Sequence, residues 1–484
     1  MNQLNKANSY IKENHVAREA LPAFHVTPPC GWMNDPNGFS NYKGTTHLFY
    51  QFHPYSQEWG PMHWGHVITK DFVKWTECLT ALAPDKEFDE AGCFSGSGIE
   101  TQKGHLLVYT GVIEKEENGV KNVYQNQCIA LGDGLSYEKS AQNPVITGDM
   151  LPEKFSREHF RDPKIFKEDD GYYMVVGNKT EENVPQVLLF HSDDGLKWNY
   201  VSVLAYDKDG KLGTMWECPD FFKLDDQYVL ITSPQDIQAD GELHNGNNTV
   251  YYMGKYDKNR HVFDYENVYS LDDGLDFYAA QTMEAEDGRR IMIGWMQSWD
   301  SNIRPADQKW ACMMTLPREL ELVDGKIIQS PVREIENYHR NTVHYMNQEI
   351  KGSCELEGIS GRIIDMTAEI VSGDFREFTI SIAKNDRYHT DFTINKEKNI
   401  IEVDRTYSGM VRDAISIRKA NMKSPSDKCK IRMILDKNSS EAFLNDGVQV
   451  FSTTFYTPLD ADEIEFFCDG KAVVNIEKHD IVVE

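Results

Sequence analysis

The sequence predicts an all-β chain, a five-bladed β-propeller followed by a C-terminal β-sandwich, and three observations carry that expectation. A turn followed by an alternating β-type run recurs along the first two thirds of the chain, at intervals of roughly 60 residues. A second turn recurs in step with the first in several of these units. Beyond about residue 345 the repeat stops, and strand-period alternation continues without any helical stretch of note. A chain of 484 residues has room for more than one compact unit. The expected division is a propeller over 1–330, with 1–24 as an N-terminal extension, a linker over 331–345 and a sandwich over 346–484.

The turn anchors come in order. Lys43-Gly44 precedes His47 to Tyr50, and Lys103-Gly104 precedes Leu106 to Tyr109. Asp170-Gly171 precedes Tyr172 to Val175, Asp225-Asp226 precedes Tyr228 to Ile231, and Asp287-Gly288 precedes Ile291 to Gly294. The second turns are Asp71 to Trp75, Asp133 to Tyr137 and Asp194 to Trp198. Each period suits a four-stranded blade with generous loops. Pro331-Val332-Arg333-Glu334-Ile335 breaks the pattern and suggests a short helix within the linker. In the last region Ile364 to Ile370 and Phe378 to Ile382 alternate at the strand period, and Asn445-Asp446-Gly447 is a hairpin-turn signal.

Chemistry enters about nine residues before each anchor. The positions reached are Asp35, Ser95, Asp162, Glu217 and Ala279, the last beside Phe277-Tyr278. In a propeller the first strand of every blade lines the central channel, so equivalent positions on those strands meet at one mouth. Three carboxylates are thereby aimed at one place, an arrangement that is costly unless something pairs or uses them. Arg161 beside Asp162 is expected to keep that carboxylate ionised. Asp35, among Asn34, Asn37 and a Pro-Gly turn, suits an anionic nucleophile. Glu217, between apolar Trp216 and Cys218, suits a proton donor. One donor and one ionised carboxylate are what glycosidic bond cleavage requires.

Composition narrows the alternatives. The formal net charge of −27 argues against nucleic acid or an anionic membrane as partner. Met1 to Glu19 lacks the apolar core of a signal peptide, and no apolar run approaches the ~20 residues of a membrane span. The nine cysteines are scattered, with no Cys-x-x-Cys pair, which suits reduced thiols in a cytoplasm. His53, His63 and His66 lack the paired Cys or Glu that a zinc site needs, so no metal is expected and buried, hydrogen-bonded histidines are. Trp32, Trp59, Trp64, Trp216, Trp295 and Trp299 fall near these motifs, where aromatic platforms can stack on sugar rings. Gln51 is a candidate for recognising hydroxyl groups.

These residues resemble glycoside hydrolase family 32, the invertase and sucrose-6-phosphate hydrolase group. The resemblance is carried by His25-Val26-Thr27-Pro28-Pro29, Trp32 to Gly38, Gln51, Trp59 to His66, Phe94 to Ser97, Arg161-Asp162-Pro163 and Trp216 to Phe221. It continues through Asp276 to Ala279, Gly294-Trp295-Met296 and Thr315 to Leu320. The resemblance implies a retaining β-fructofuranosidase acting on sucrose, sucrose 6-phosphate or short fructo-oligosaccharides. In that scheme Asp35 is the nucleophile, Glu217 the acid and base, and Asp162, with Arg161, the transition-state stabiliser. Asn34, Gln51, Trp59, Phe94, Ser95, Tyr278 and Trp295 match positions of the fructose subsite. A small sugar is the only partner implied, and no cofactor. Two rival readings are a fructosyltransferase on the same scaffold and a non-catalytic sugar-binding propeller. Oligomeric state is not legible.

Overall fold

The computed structural model describes residues 2–483 apart from 118, 302, 306, 410–413 and 424–428. It opens with helix α1 (Gln3–Asn14), which sequence reading did not anticipate because its residues are mostly polar. Asn2 caps it, accepting the Asn5 backbone N–H at 2.9 Å, and Ala7 is its one buried side chain.

Five sheets follow. Blade I comprises β1 (Gly31–Tyr42), β2 (Thr45–His53), β3 (His63–Thr69) and β4 (Trp75–Glu77). Blade II comprises β5 (Gly92–Thr101), β6 (Gly104–Glu117), β7 (Val120–Gly132) and β8 (Tyr137–Lys139). Blade III comprises β9 (Phe155–Glu168), β10 (Gly171–Thr180), β11 (Pro185–Ser192) and β12 (Asn199–Tyr206). Blade IV comprises β13 (Met215–Leu224), β14 (Gln227–Gln235), β15 (Val250–Asp257) and β16 (Val262–Ser270). The last five propeller strands are β17 (Tyr278–Glu284), β18 (Arg290–Trp295), β19 (Trp310–Ala311), β20 (Arg318–Val323) and β21 (Lys326–Pro331). Blade V is β17, β18, β20 and β21, whereas β19 leaves it and pairs in parallel with β1. Gly31 faces Trp310 and Trp32 faces Ala311 in that pairing, which closes the ring.

Every anchor turn read from the sequence joins the first and second strands of a blade, and the second turns precede β4, β8 and β12. The first strands are short of exposed positions. In β1 only Asn41 escapes full burial, so the strand reads as a near-continuous buried run and not as a two-faced alternation.

The short helix expected in the linker is a 3-10 segment, Arg333–Tyr338. The connector is shorter than 331–345, because β22 (His339–Ser360) already begins at His339. The remaining strands are β23 (Ile364–Lys384), β24 (Thr390–Asn395), β25 (Ile400–Asp404), β26 (Ile417–Asn421), β27 (Cys429–Asp436), β28 (Ser439–Leu444), β29 (Gln449–Thr454) and β30 (Glu463–Ile481). β23 pairs with β27 through its first part and with β24 through its second, so one strand serves both layers of the sandwich. β30 runs along its other edge. The Asn445-Asp446-Gly447 hairpin joins β28 to β29, with positive φ at all three residues.

The sandwich has its own core of Ile, Met and Phe side chains. A second cluster is shared across the domain boundary, where Ile434, Phe443 and Val450 pack with Trp295, Leu316 and other propeller residues. Beside it lies a wholly buried ionic network. His25 bonds Asp436 at 2.9 Å and Glu441 at 3.0 Å, and Arg318 reaches Glu441 at 2.6 Å and Asp272 at 3.0 Å. Among the described residues no helix is long and apolar enough to cross a membrane.

Candidate active site

Each of the five innermost strands is interrupted by a register shift at, or in blade IV immediately after, the position reached from its anchor. The shifts fall between Met33 and Pro36, Phe94 and Gly96, Arg161 and Lys164, Glu217 and Asp220, and Tyr278 and Gln281. A bulge bends the strand and re-aims a side chain that regular pleating would bury in the sheet. Asp162, Cys218 and Ala279 accordingly adopt positive φ (65°, 48° and 54°). The sequence carried a signal for this: Pro36, Pro163 and Pro219 each sit inside a strand, where Pro is tolerated at bulges. Gly38, with φ 54°, is required for another reason, since a Cβ there would lie 2.4 Å from the Phe49 ring.

The bulges bring Asp35, Asp162 and Glu217 into one pocket of about 460 Å³. Asn34, Gln51, Trp59, Phe94, Ser95 and Arg161 line it with them, and Val123, Gln125, Glu158, His159, Gln235 and Trp299 complete the wall. Trp59 and Trp299 are the exposed indoles, at 48% and 37%. Trp59 meets Phe94 edge-on with ring centroids 5.7 Å apart.

Two residues expected at the subsite lie behind it. Trp295 is fully buried, packed against Trp32 and Trp299. Tyr278 is also buried, and its hydroxyl contacts Glu217 Oε2 at 2.7 Å and the Ser233 carbonyl at 2.9 Å. Both support the wall from within. The histidines expected to be buried and hydrogen-bonded divide: His63 and His66 are buried, whereas His53 is partly exposed and bonds the Glu58 carbonyl.

Hydrogen bonds fix each carboxylate. Asp35 accepts from Asn34 Nδ2 at 3.0 Å and from the Ser95 hydroxyl at 2.6 Å, while Trp32 Nε1 donates to Asn34 and sets that amide. Burial raises the Asp35 carboxyl above its usual range, and the nearby Glu217 charge adds to this against the donors. Asp162 accepts the Cys218 backbone N–H at 2.9 Å. The Cys218 sulfur lies 3.6 Å from Asp35 Oδ2 and 3.7 Å from Asp162 Oδ2.

Arg161 serves a different partner from the one expected. Its Nε and Nη2 donate to Glu217 Oε1 at 3.0 and 2.8 Å, and it comes no closer to Asp162 than 4.0 Å. At that distance Arg161 only partly offsets the burial of Asp162. Burial lifts it to about 7; Arg161 opposes, and the charges of Glu217 and Asp35 reinforce the rise. Three carboxylates face one guanidinium, so the cluster retains a proton near neutrality. Glu217 takes two further donors on Oε2, Gln235 Nε2 at 2.8 Å and Tyr278. Gln235 was not anticipated. It lies two residues beyond Ser233, the cross-strand partner of Glu217, and so shares a face with it.

Asp35, Asp162 and Cys218 each place one potential metal-ligand atom within 4.8 Å of the others. Ser95, Asn34 and the Cys218 amide already occupy those oxygens, and the thiol is held protonated by burial and three neighbouring carboxylates. The donors suit proton chemistry better than a metal ion.

The family model described as the glycosyl hydrolases family 32 N-terminal domain matches residues 25–331, and the C-terminal model of the same family matches 334–482. A sucrose-6-phosphate hydrolase of Zymomonas mobilis is 36% identical over 482 residues, covering 95% of this chain and 91% of its own. A raffinose invertase of Escherichia coli is 36% identical over 459 residues, covering 94% and 93%. Among solved structures, a mutant Bombyx mori family 32 β-fructofuranosidase in complex with sucrose superposes with a TM-score of 0.85 at 30% identity, covering 99% of this chain and 97% of that one.

Proposed function

The chain belongs to glycosyl hydrolase family 32, and from that premise we propose that it hydrolyses β-fructofuranosides of the sucrose type with retention of configuration. One observation carries the reading: Asp35, Asp162 and Glu217, from three separate blades, line a single pocket with Arg161.

In the first step an Asp35 carboxylate oxygen attacks the fructosyl anomeric carbon. The bond to the leaving sugar breaks, and Glu217 gives its proton to the departing oxygen. Water then attacks the same carbon, returns a proton to Glu217 and releases Asp35. Arg161, Gln235 and Tyr278 hold Glu217 in place for both transfers. Asp162, fixed by the Cys218 amide, is placed to accept hydrogen bonds from fructose hydroxyls as positive charge develops on the ring. Trp59, Phe94 and Trp299 offer apolar surface to the sugar. A retaining route places the two carboxyl groups about 5–5.5 Å apart.

The relatives' names cover both sucrose 6-phosphate and raffinose. These substrates share the terminal fructose, so we assign the fructosyl bond as the site of cleavage. Nine cysteines, all free, support a reducing cytoplasm as the location. The test is release of fructose from sucrose, followed by NMR during the first turnovers. β-Fructofuranose is the expected first product. The α anomer would reject retention, and no fructose from sucrose, sucrose 6-phosphate or raffinose would reject the assignment.

A further inference from the structure

Cations around the pocket differ in how far they are committed. Arg161 is bound to Glu217. Lys121 lies on β7 two residues from Val123, on the same face as that pocket residue, and its ammonium is tied to Glu114 at 2.6 Å. Lys179 differs from both. In the β9–β10 ladder Arg161 stands directly opposite Gly177, so the two positions share a face. Lys179, two residues on, returns to that face. Asn178 between them turns the other way, donating to the Ser156 and His159 carbonyls at 2.8 and 2.7 Å and accepting from Gln186. Lys179 therefore sits one step outward from Arg161, at the end of blade III where Glu158 and His159 line the pocket.

Among the described residues the Lys179 ammonium forms no ion pair and no hydrogen bond. Burial and the Arg161 charge lower its proton affinity, and Glu158 and Asp236 only partly offset them. Positive charge is thus left without a direct counter-ion at the rim. His159 adds a donor. Its Nδ1 lies 3.3 Å from Arg161 Nη1 and accepts from it, so the neutral ring carries its hydrogen on Nε2. Burial and the charges of Arg161 and Lys179 keep that ring neutral, with its pKa lowered to about 4.

We propose that Lys179, with His159 beside it, binds a phosphate group on the leaving sugar and so sets the preference for phosphorylated over unphosphorylated β-fructosides. The proposal rests on the fructosidase reading above. It names the residue that discriminates between substrates sharing one fructose. A lysine acts on phosphate as a point charge and needs no bidentate geometry.

The experiment compares kcat/KM for sucrose 6-phosphate and sucrose in the wild type, Lys179→Ala and Lys179→Arg. The wild type is expected to favour the phosphorylated sugar. Lys179→Ala should lower the ratio of the two values tenfold or more, mostly through KM, and Lys179→Arg should restore it to within about threefold. A ratio that moves less than twofold in Lys179→Ala overturns the proposal, as does a wild type without preference for the phosphorylated sugar. Inorganic phosphate separates a substrate subsite from a site for free anion. Inhibition of sucrose hydrolysis that is relieved in Lys179→Ala, with the substrate ratio unchanged, would also overturn it. Failure of the wild type to cleave either sugar would instead defeat the fructosidase reading itself.

Discussion

The Tyr278 hydroxyl lies 2.7 Å from Glu217 Oε2 while the ring itself is almost wholly buried behind the pocket. With Gln235 on the same oxygen and Arg161 on the other, Glu217 is held from three blades at once. A side chain so clamped can be loosened without being removed. Tyr278→Phe should lower kcat about 10- to 100-fold with KM changed less than threefold, because the sugar itself is not touched. Steady-state kinetics on sucrose check this. An equal loss in both parameters would mean that the hydroxyl contacts substrate.

Removing the chemistry outright is the harsher test. Asp35→Asn and Glu217→Gln are each expected to reduce kcat by about three orders of magnitude or more, with far-UV circular dichroism unchanged. Retention of near-normal turnover by either variant would sink the role given to it.

The retained proton makes a pH prediction. Asp162 is raised to about 7 in a cluster that includes Asp35, itself raised. The proton-donating step needs one proton in the cluster, so kcat/KM should fall as pH rises through about 7. Asp162→Asn removes one negative charge. That weakens the hold on the remaining proton, and the basic limb should move to lower pH along with a loss of turnover. A limb that stays in place would show that Asp162 does not share the titration.

The network at the domain boundary gives a stability prediction. His25 is buried, yet its bonds to Asp436 and Glu441 raise it from 6.5 to about 9. A group whose folded pKa exceeds its unfolded value stabilises fully below the unfolded one and loses that contribution as pH climbs through the folded one. The melting temperature should therefore decline between about pH 7 and 9.5. His25→Gln should be less stable at pH 7, by about 3 kcal/mol, and flatter across that window. Calorimetry at several pH values decides it, and parallel curves for the two proteins would contradict the assignment.

Why some of this could be read from residues alone is visible in particular positions. Blade strands announce themselves because Lys43-Gly44, Asp170-Gly171 and their counterparts repeat a turn at nearly fixed spacing, and equal offsets from those turns bring Asp35, Asp162 and Glu217 to the mouth. What escaped depends on contacts across strands. Arg161 precedes Asp162 in the chain, but the bulge turns its guanidinium toward Glu217. Gln235 ends β14 with no motif of its own, and only the ladder shows that it faces Glu217. Trp295 and Tyr278 are motif residues whose rings turn inward. His25 opens the His25-Val26-Thr27-Pro28-Pro29 stretch, yet its side-chain partners lie in the sandwich, more than 400 residues along the chain.

The two-residue strand β19 has a consequence for how the molecule would fail. It is the latch of the ring, and it grips β1 at Gly31 and Trp32, three residues from Asp35. A circle fastened beside its nucleophile transmits slack there first. Under mild heat or denaturant, activity should fade while the other four blades still keep their strands.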